Sequence, residues 1–408
     1  LDSIYVLPAP LTTDIASLSV VNSGAVSIDE ADGLQLNQIG TTGSFTVLAQ
    51  GDITASSTEQ RVAGGAFSLT TTGNILLNTP NQNYLSGPIS LAGNTVEINN
   101  GVATEFASVN ATSLLVNSTG NITQTGAITV PGSTTLSALG NITLTNAGNN
   151  FNNLNVNGAS AVTITDMDRI DSGSITAGSA TLNTATGIGA ADAQNHFATN
   201  VNFLGINNTA GGVYVTNNRA ATVSITTRGD IEMTNNGNLV IHRLYTAGNT
   251  TDPSGSYGNV ILRVANGDVQ AYRGSPPYPG LTAHSAVEAP DITAFTLDAQ
   301  VANGGVGFPL RYLSVKVVDT FTYLGGRGYV YYYGGKPPNV FGADDLISFS
   351  VADIMPNQQL LDLESLGEFD PAIFTAVRNY YYEDIAIMMP ADQRLDGMRE
   401  RLARRFAV

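Results

Sequence analysis

The sequence predicts an all-β chain, a right-handed parallel β-helix of about 20 residues per coil with a small α-helical C-terminal region. Three observations carry this. A short unit recurs through the first two thirds, the charged fraction is only 12%, and cysteine and tryptophan are both absent. The unit reads x-φ-x-φ-x-x-x-G-[DN]-[IV]-x-φ, with φ apolar. It occurs as SFTVLAQGDITA at 44–55, AFSLTTTGNILL at 66–77, SLLVNSTGNITQ at 113–124 and STTLSALGNITL at 133–144. TVSITTRGDIEM at 222–233 and VILRVANGDVQA at 260–271 repeat it later, with a looser ISLAGNTVEI at 89–98.

Each unit holds two alternating segments, the mark of strands with one face buried. The Gly-Asn or Gly-Asp between them predicts a corner: glycine for a positive φ, Asn or Asp for a bond to its own backbone. Gly51 and Gly73 lie 22 apart, and Gly120 and Gly140 lie 20 apart, so one unit is one coil. An antiparallel sandwich needs tight hairpins, and Asn-Gly pairs at 100–101, 157–158, 236–237 and 266–267 leave that alternative open. The recurrence of Gly-Asn-Ile at one place in successive units favours the solenoid. It makes Gly73, Asn74, Gly120, Asn121, Gly140 and Asn141 turn and ladder residues, with amides stacked about 4.8 Å apart.

The hydrophobic fraction of 42% is too high for a disordered chain. No apolar run of about 18 residues exists to span a bilayer. The net charge of −16 argues against nucleic acid, and only two lysines occur, Lys316 and Lys336. Without cysteine, neither disulfides nor thiolate metal sites hold the fold, and no cofactor is expected. The start at Leu1, with no Met or leader pattern, reads as a processed piece of a longer precursor.

The run 120–166, GNITQTGAITVPGSTTLSALGNITLTNAGNNFNNLNVNGASAVTITD, and TAGGVYVTNN at 209–218 resemble the filamentous-haemagglutinin-like repeats of large bacterial exoproteins. Many of these leave the cell by two-partner secretion. The resemblance covers about residues 15–272. It implies an extracellular or bacterial cell-surface β-helix, in a group that includes adhesins, biofilm matrix proteins and toxin stalks.

Candidate sites are few. Asp166, Asp168 and Asp171 could form a calcium loop, or the carboxylate pair of a polysaccharide lyase or glycosidase. VSIDEADGL at 26–34 aligns with VTITDMDRI at 162–170, matching Glu30 to Asp166 and Asp32 to Asp168. Acids that recur with the repeat read as turns. His196, His242 and His284 stand far apart with no zinc-type spacing, and no G-x-S-x-G elbow marks a nucleophile, so no catalytic residue is assigned. The sequons at Asn110, Asn117, Asn121 and Asn141 follow from turn chemistry.

The expected layout is an N-terminal arm at 1–14, β-helix repeats at 15–307, capping strands at 308–343 and a helical tail at 344–408. Loop excursions fall near 187–217, 252–258 and 273–280. The stripe Tyr329, Tyr331, Tyr332 and Tyr333, with Tyr278 in a Pro/Gly loop, is either a ligand surface for a glycan or receptor or, for the stripe, a capping strand. Asp370 and Pro371 open one helix, and 391–406 forms an amphipathic one. This helix could cap its own rod, dock onto the next subunit or lie on an anionic surface through its arginines, and its basic end suits another copy of an acidic chain. Head-to-tail self-association is therefore expected through Ile4, Tyr5 and Val6 at one end. At the other end the contacts are Tyr380, Tyr381, Leu395, Met398, Leu402, Arg404, Arg405 and Phe406. The function expected is a secreted structural or adhesive protein, a fibre or a monomeric adhesin, and not an enzyme.

Overall fold

The computed structural model describes residues 10–350 apart from 57–59, 80–82, 193, 248–256, 273–289, 308–311, 334–335 and 343–345. Ile4, Tyr5, Val6, Tyr278, His284 and the whole tail from 351, with Tyr380 to Phe406, lie outside the described residues. The fold is all-β, a parallel β-solenoid of about 15 turns of roughly 19 residues. Contacts divide it into two compact units, Leu1–Arg219 with Thr227–Glu232, and Ala220–Thr226 with Met233–Val408. No helix among the described residues is long and apolar enough to cross a membrane.

In the first unit the period of 2 in the sequence becomes burial directly. Val26–Glu30 and Phe45–Ala49 alternate between buried and more exposed positions, and the two strands pair in parallel with Val26 opposite Phe45. Phe45–Ala49 pairs onward with Phe67–Thr71, and that strand with Pro88–Asn100, which stacks Phe45, Phe67 and Ile89 in one inward column. A second column runs Ile53, Ile75 and Val96, and a third Ile122, Ile142 and Val162. Such a core grows along one axis, so each turn contacts only its neighbours.

Several strands turn a corner without breaking. Pro88–Asn100, Ile128–Ala138 and Asn150–Asp166 shift register part-way, at Ile89/Ser90, Val130/Ser133 and Asn157/Ala159. A bulge bends the strand there and keeps the pairing on either side. The Asn-Gly pairs that left hairpins open sit at such corners between parallel strands; Gly158 and Gly237 take φ of 79° and 120°.

Gly73, Gly120 and Gly140 are corner residues, but none takes the positive φ that their sequence context predicts. Their requirement is space. A Cβ on Gly73 would meet the Asp52 amide at 2.8 Å, and one on Gly120 would meet Ala103 Cα at 2.8 Å.

The segment 187–217, expected to leave the solenoid, largely stays in it. Phe197–Asn200 and Phe203–Asn208 pair in parallel with Ser172–Thr184, and Val213–Asn217 pairs with Phe197–Asn200. Phe197, Leu204 and Val213 still point inward there although the Gly-Asn-Ile signal lapses. Only the stretch 189–196 makes an excursion, closed by Asn195 N to Asp192 O at 2.8 Å.

At the start, Leu11–Thr13 pairs with Val26–Glu30, so the first coil begins inside the stretch expected as an arm.

In the second unit Ile292–Val301 pairs with Leu239–Thr246, Val260–Val264 and Leu313–Leu324. The strands expected to cap the solenoid are further turns of it. Gly328–Tyr332 lies between Leu313–Leu324 and Leu346–Ser350 and pairs with both in parallel. Large aromatic side chains fill this end: Phe321, Tyr323 and Tyr332 are almost fully buried. Leu346–Ser350 is a strand, inside the region read from sequence as helical.

Candidate functional site

The polar residues of the core cluster at corners, where each strand end leaves backbone groups to be satisfied. Asn149, fully buried, accepts from the Ile128 amide at 3.0 Å and donates to the Leu144 and Thr165 carbonyls at 3.2 and 3.0 Å. Asn100 accepts from Leu85 N at 3.0 Å and donates to Leu85 O at 3.1 Å. Asn217 accepts from Val201 N at 3.1 Å and donates to Arg219 O at 2.6 Å. An amide side chain fits corners where one N–H and one C=O converge, because it carries one group of each kind.

The acids sit where two N–H groups converge, and a carboxylate is the acceptor-only group that fits. Asp166 accepts from Phe151 N at 2.7 Å and from Asp168 N at 2.9 Å. Glu30 accepts from Ile15 N at 3.1 Å, Ala31 N at 3.0 Å and the Thr13 hydroxyl at 2.6 Å. Both are buried, so the two acids aligned by the repeat hold the same kind of corner. Asp168 accepts from Asn150 Nδ2 at 3.2 Å. Asp171 turns away and pairs with Arg169 at 3.3 Å. The structure thus brings Asp166 and Asp168 together and sends Asp171 elsewhere. The three acids whose carboxylate oxygens approach within 4.8 Å of one another are Asp14, Glu30 and Asp32, at the first described turn, with Asp14 and Asp32 exposed.

Burial pushes the Asp166 carboxyl up to about 7, with its contact to Asp168 acting the same way and the amides of Asp168 and Phe151 pulling against them. The folded chain then holds a proton that the unfolded chain releases near pH 4. This stabilising contribution is complete below about pH 4 and is lost as pH rises through about 7. Asp166→Asn removes the titration. Its unfolding free energy is expected to fall less steeply than wild type between pH 4.5 and 7.5, by up to about 1.4 kcal/mol per pH unit. Urea titrations across that range check this.

The predicted ladder residues bond along the stack, but through backbone. Asn141 N donates to Asn121 Oδ1 at 2.9 Å, Asn74 N to Asp52 Oδ1 at 2.8 Å, and Thr95 N to Asn74 Oδ1 at 3.1 Å. Side chain to side chain ladders occur at other positions. Asn117 donates to Asn99 at 2.6 Å and Asn207 to Asn183 at 3.1 Å. Asn266 donates to Asn236 at 2.9 Å and Asn303 to Asn266 at 3.1 Å.

The tyrosine stripe divides between the two faces of its strand. Tyr329, Tyr331 and Tyr332 are buried, and Tyr329 and Tyr331 form a cluster with Tyr312, on which the partly buried Tyr333 packs. As a ligand surface the stripe is closed by this packing. Val330 and Tyr332 face the interior, with Tyr332 against Phe321, while Tyr329 and Tyr331 are buried on the opposite face of the strand.

One concentration of chemistry-bearing groups escaped the sequence, around His196. The excursion 189–196 returns to the sheet at His196, whose side chain is 2% exposed. Its Nδ1 lies 3.3 Å from Thr216 Oγ1, and its Nε2 faces Glu232 Oε2 at 3.8 Å, beyond hydrogen-bond reach. Tyr214 packs 6.3 Å from the imidazole, its hydroxyl pushed up by burial and by Asp230. Arg169 Nε donates to Gly189 O at 2.9 Å, which pins the start of the excursion. The Glu232 side chain is 12% exposed. The geometry suits an internal pin for the excursion. No spacing in the sequence announces it, since the His and Glu lie 36 residues apart. His242, the other described histidine, is buried, with Nδ1 3.4 Å from Ser224 Oγ.

Fold and corner network together define a parallel β-solenoid repeat protein. The matching family model is that of repeats of unknown function (DUF5649), aligned twice, over residues 23–92 and 93–157. The searches of curated proteins and of solved structures each found no match. The family match supports a repeat solenoid; the haemagglutinin-like likeness stays a resemblance.

Proposed function

We propose that this chain is a secreted bacterial surface protein that works by association rather than catalysis, joining copies head to tail into an extracellular fibre. The observation that carries this reading is the first described turn. Among the described residues Leu11–Thr13 pairs only with Val26–Glu30, and Ser17–Ser23 only with Leu34–Thr41, and these strands are the ones we assign to pairing with another copy. An open strand edge is a template for another chain. Val21 on the second of these strands is 62% exposed, and the exposed acids Asp14 and Asp32 lie together with Glu30 at the corner before that strand. The C-terminal sequence supplies the complement, with Arg394, Arg399, Arg401, Arg404 and Arg405 inside twelve positions.

Two further features support an associative role. Of the acids that most resemble a catalytic pair, Asp166 accepts from two backbone amides and Asp168 from the Asn150 side chain, and His196 and Glu232 are buried. The outer surface carries Asn, Ser and Thr in place of a charged groove. Negative-stain electron microscopy over a range of concentrations tests the proposal. Filaments that lengthen with concentration are expected; particles that never join at any concentration would overturn it.

A further inference from the structure

We propose that the second unit carries a binding site for carboxylated polysaccharide, built from Arg243, Tyr245, Tyr257 and Lys316. It stands independently of the fibre reading. In a chain of net charge −16 a cation near the surface has carboxylates to choose from. Among the described residues these two pair with none and sit on tyrosine rings instead. The Arg243 guanidinium carbon lies 4.3 Å from the Tyr245 ring centroid, and Lys316 Nζ lies 5.1 Å from that of Tyr257. Lys316 also donates to the Tyr257 hydroxyl at 2.9 Å, and the two rings meet edge to face at 6.4 Å.

The patch is held in advance. Tyr245, Thr293 and Lys316 occupy matching positions on three successive turns, about 4.8 Å apart per turn. Thr293 is buried, and Tyr257 spans it from Tyr245 to Lys316. The backbone beside Tyr257 is fixed by three bonds. Gly258 N donates to Thr246 Oγ1 at 2.9 Å, Thr246 Oγ1 to Gly258 O at 3.1 Å, and Phe295 N to Gly258 O at 2.8 Å. Ordering these side chains before binding removes part of the entropic cost of complex formation.

The chemistry selects the ligand. A guanidinium held over a ring face keeps N–H groups for a carboxylate, which it can meet with two parallel bonds. The half-buried tyrosine rings offer apolar faces to sugar C–H groups and hydroxyls to sugar hydroxyls. The step of one turn is close to the length of one pyranose in an extended glycan, and Arg243 and Lys316 lie two turns apart, so they meet uronates two residues apart along the chain. The negative charge of the whole chain opposes a polyanion, but at physiological salt it is screened beyond about 8 Å, while the cations touch the ligand.

The test is calorimetric titration with polygalacturonate oligomers at 150 mM salt, on protein kept below the concentration at which it assembles. Polygalacturonate is expected to bind and neutral dextran not to. Arg243→Gln and Lys316→Gln should each weaken binding about tenfold, and Arg243→Lys should fall between, because it keeps charge and loses the fork. Arg243 is exposed, so its variants should unfold at the wild-type urea concentration. Binding unchanged in the double variant, or dextran binding as well as polygalacturonate, would overturn the proposal. Polyglutamate binding as tightly would replace it with an acidic peptide site.

Discussion

Gly65→Ala is expected to lower the unfolding free energy by about 3 kcal/mol, near the top of the range for forced overpacking. Gly43, Gly65 and Gly87 form a column, one per turn, in which each glycine lies against the one before. A Cβ on Gly65 would fall inside the carbonyl of Gly43, and one on Gly87 inside the carbonyl of Gly65. The obstacle is backbone, which has no rotamer to move. Gly65 also lacks a positive φ, so the dihedral itself would admit alanine. Gly24→Ala is the control, since a Cβ there meets nothing within 4 Å. Urea unfolding should place this variant within about 0.5 kcal/mol of wild type or slightly above it, as reduced freedom of the unfolded chain favours alanine. Equal effects at the two positions would contradict the close stacking of turns.

Phe67→Ala is expected to cost about 3–5 kcal/mol. Its ring stacks on Phe45 with centroids 5.6 Å apart and has Ile89 on its other side, and all three are buried. Deletion leaves a void between two turns that cannot collapse without breaking register with both. Because turns contact only neighbours, the loss should be local. Amide hydrogen exchange should show Phe45–Ala49, Phe67–Thr71 and Pro88–Asn100 losing protection while Val260–Val264 keeps it. A uniform loss along the chain would mean the solenoid melts as one body.

What the sequence made legible is what repeats. The inward columns through Phe45 and Phe67, or Ile122 and Ile142, were present as alternation and spacing, and the Gly-Asp and Gly-Asn corners marked the period. The role of Gly73 was legible and its reason was not, because close approach of backbones is a property of the stack and leaves no local signature. The same holds for Tyr331 and Tyr332. Four tyrosines in five positions read equally as a capping strand or an interface, and only the pairing on both sides of Gly328–Tyr332 shows Tyr332 inside the coil and Tyr331 covered on the opposite face.

Sites assembled across turns were the least visible. His196 and Glu232 meet because their strands lie near each other in the stack, and Arg243 and Lys316 share a patch across 73 residues. Arg243 and Tyr245, two apart on an alternating strand, were the one available hint.

The central claim, that copies join through the strands of the first described turn, is tested most directly by sedimentation velocity of Val21→Lys and Asp14→Arg beside wild type. Lysine on an edge strand blocks strand addition, and reversal at Asp14 removes an attraction for the arginine-rich C-terminal segment. Wild type is expected to sediment faster as concentration rises, with both variants staying at the monomer value and keeping the wild-type circular dichroism. Variants that assemble as wild type does would contradict the claim and place the contact elsewhere on the molecule.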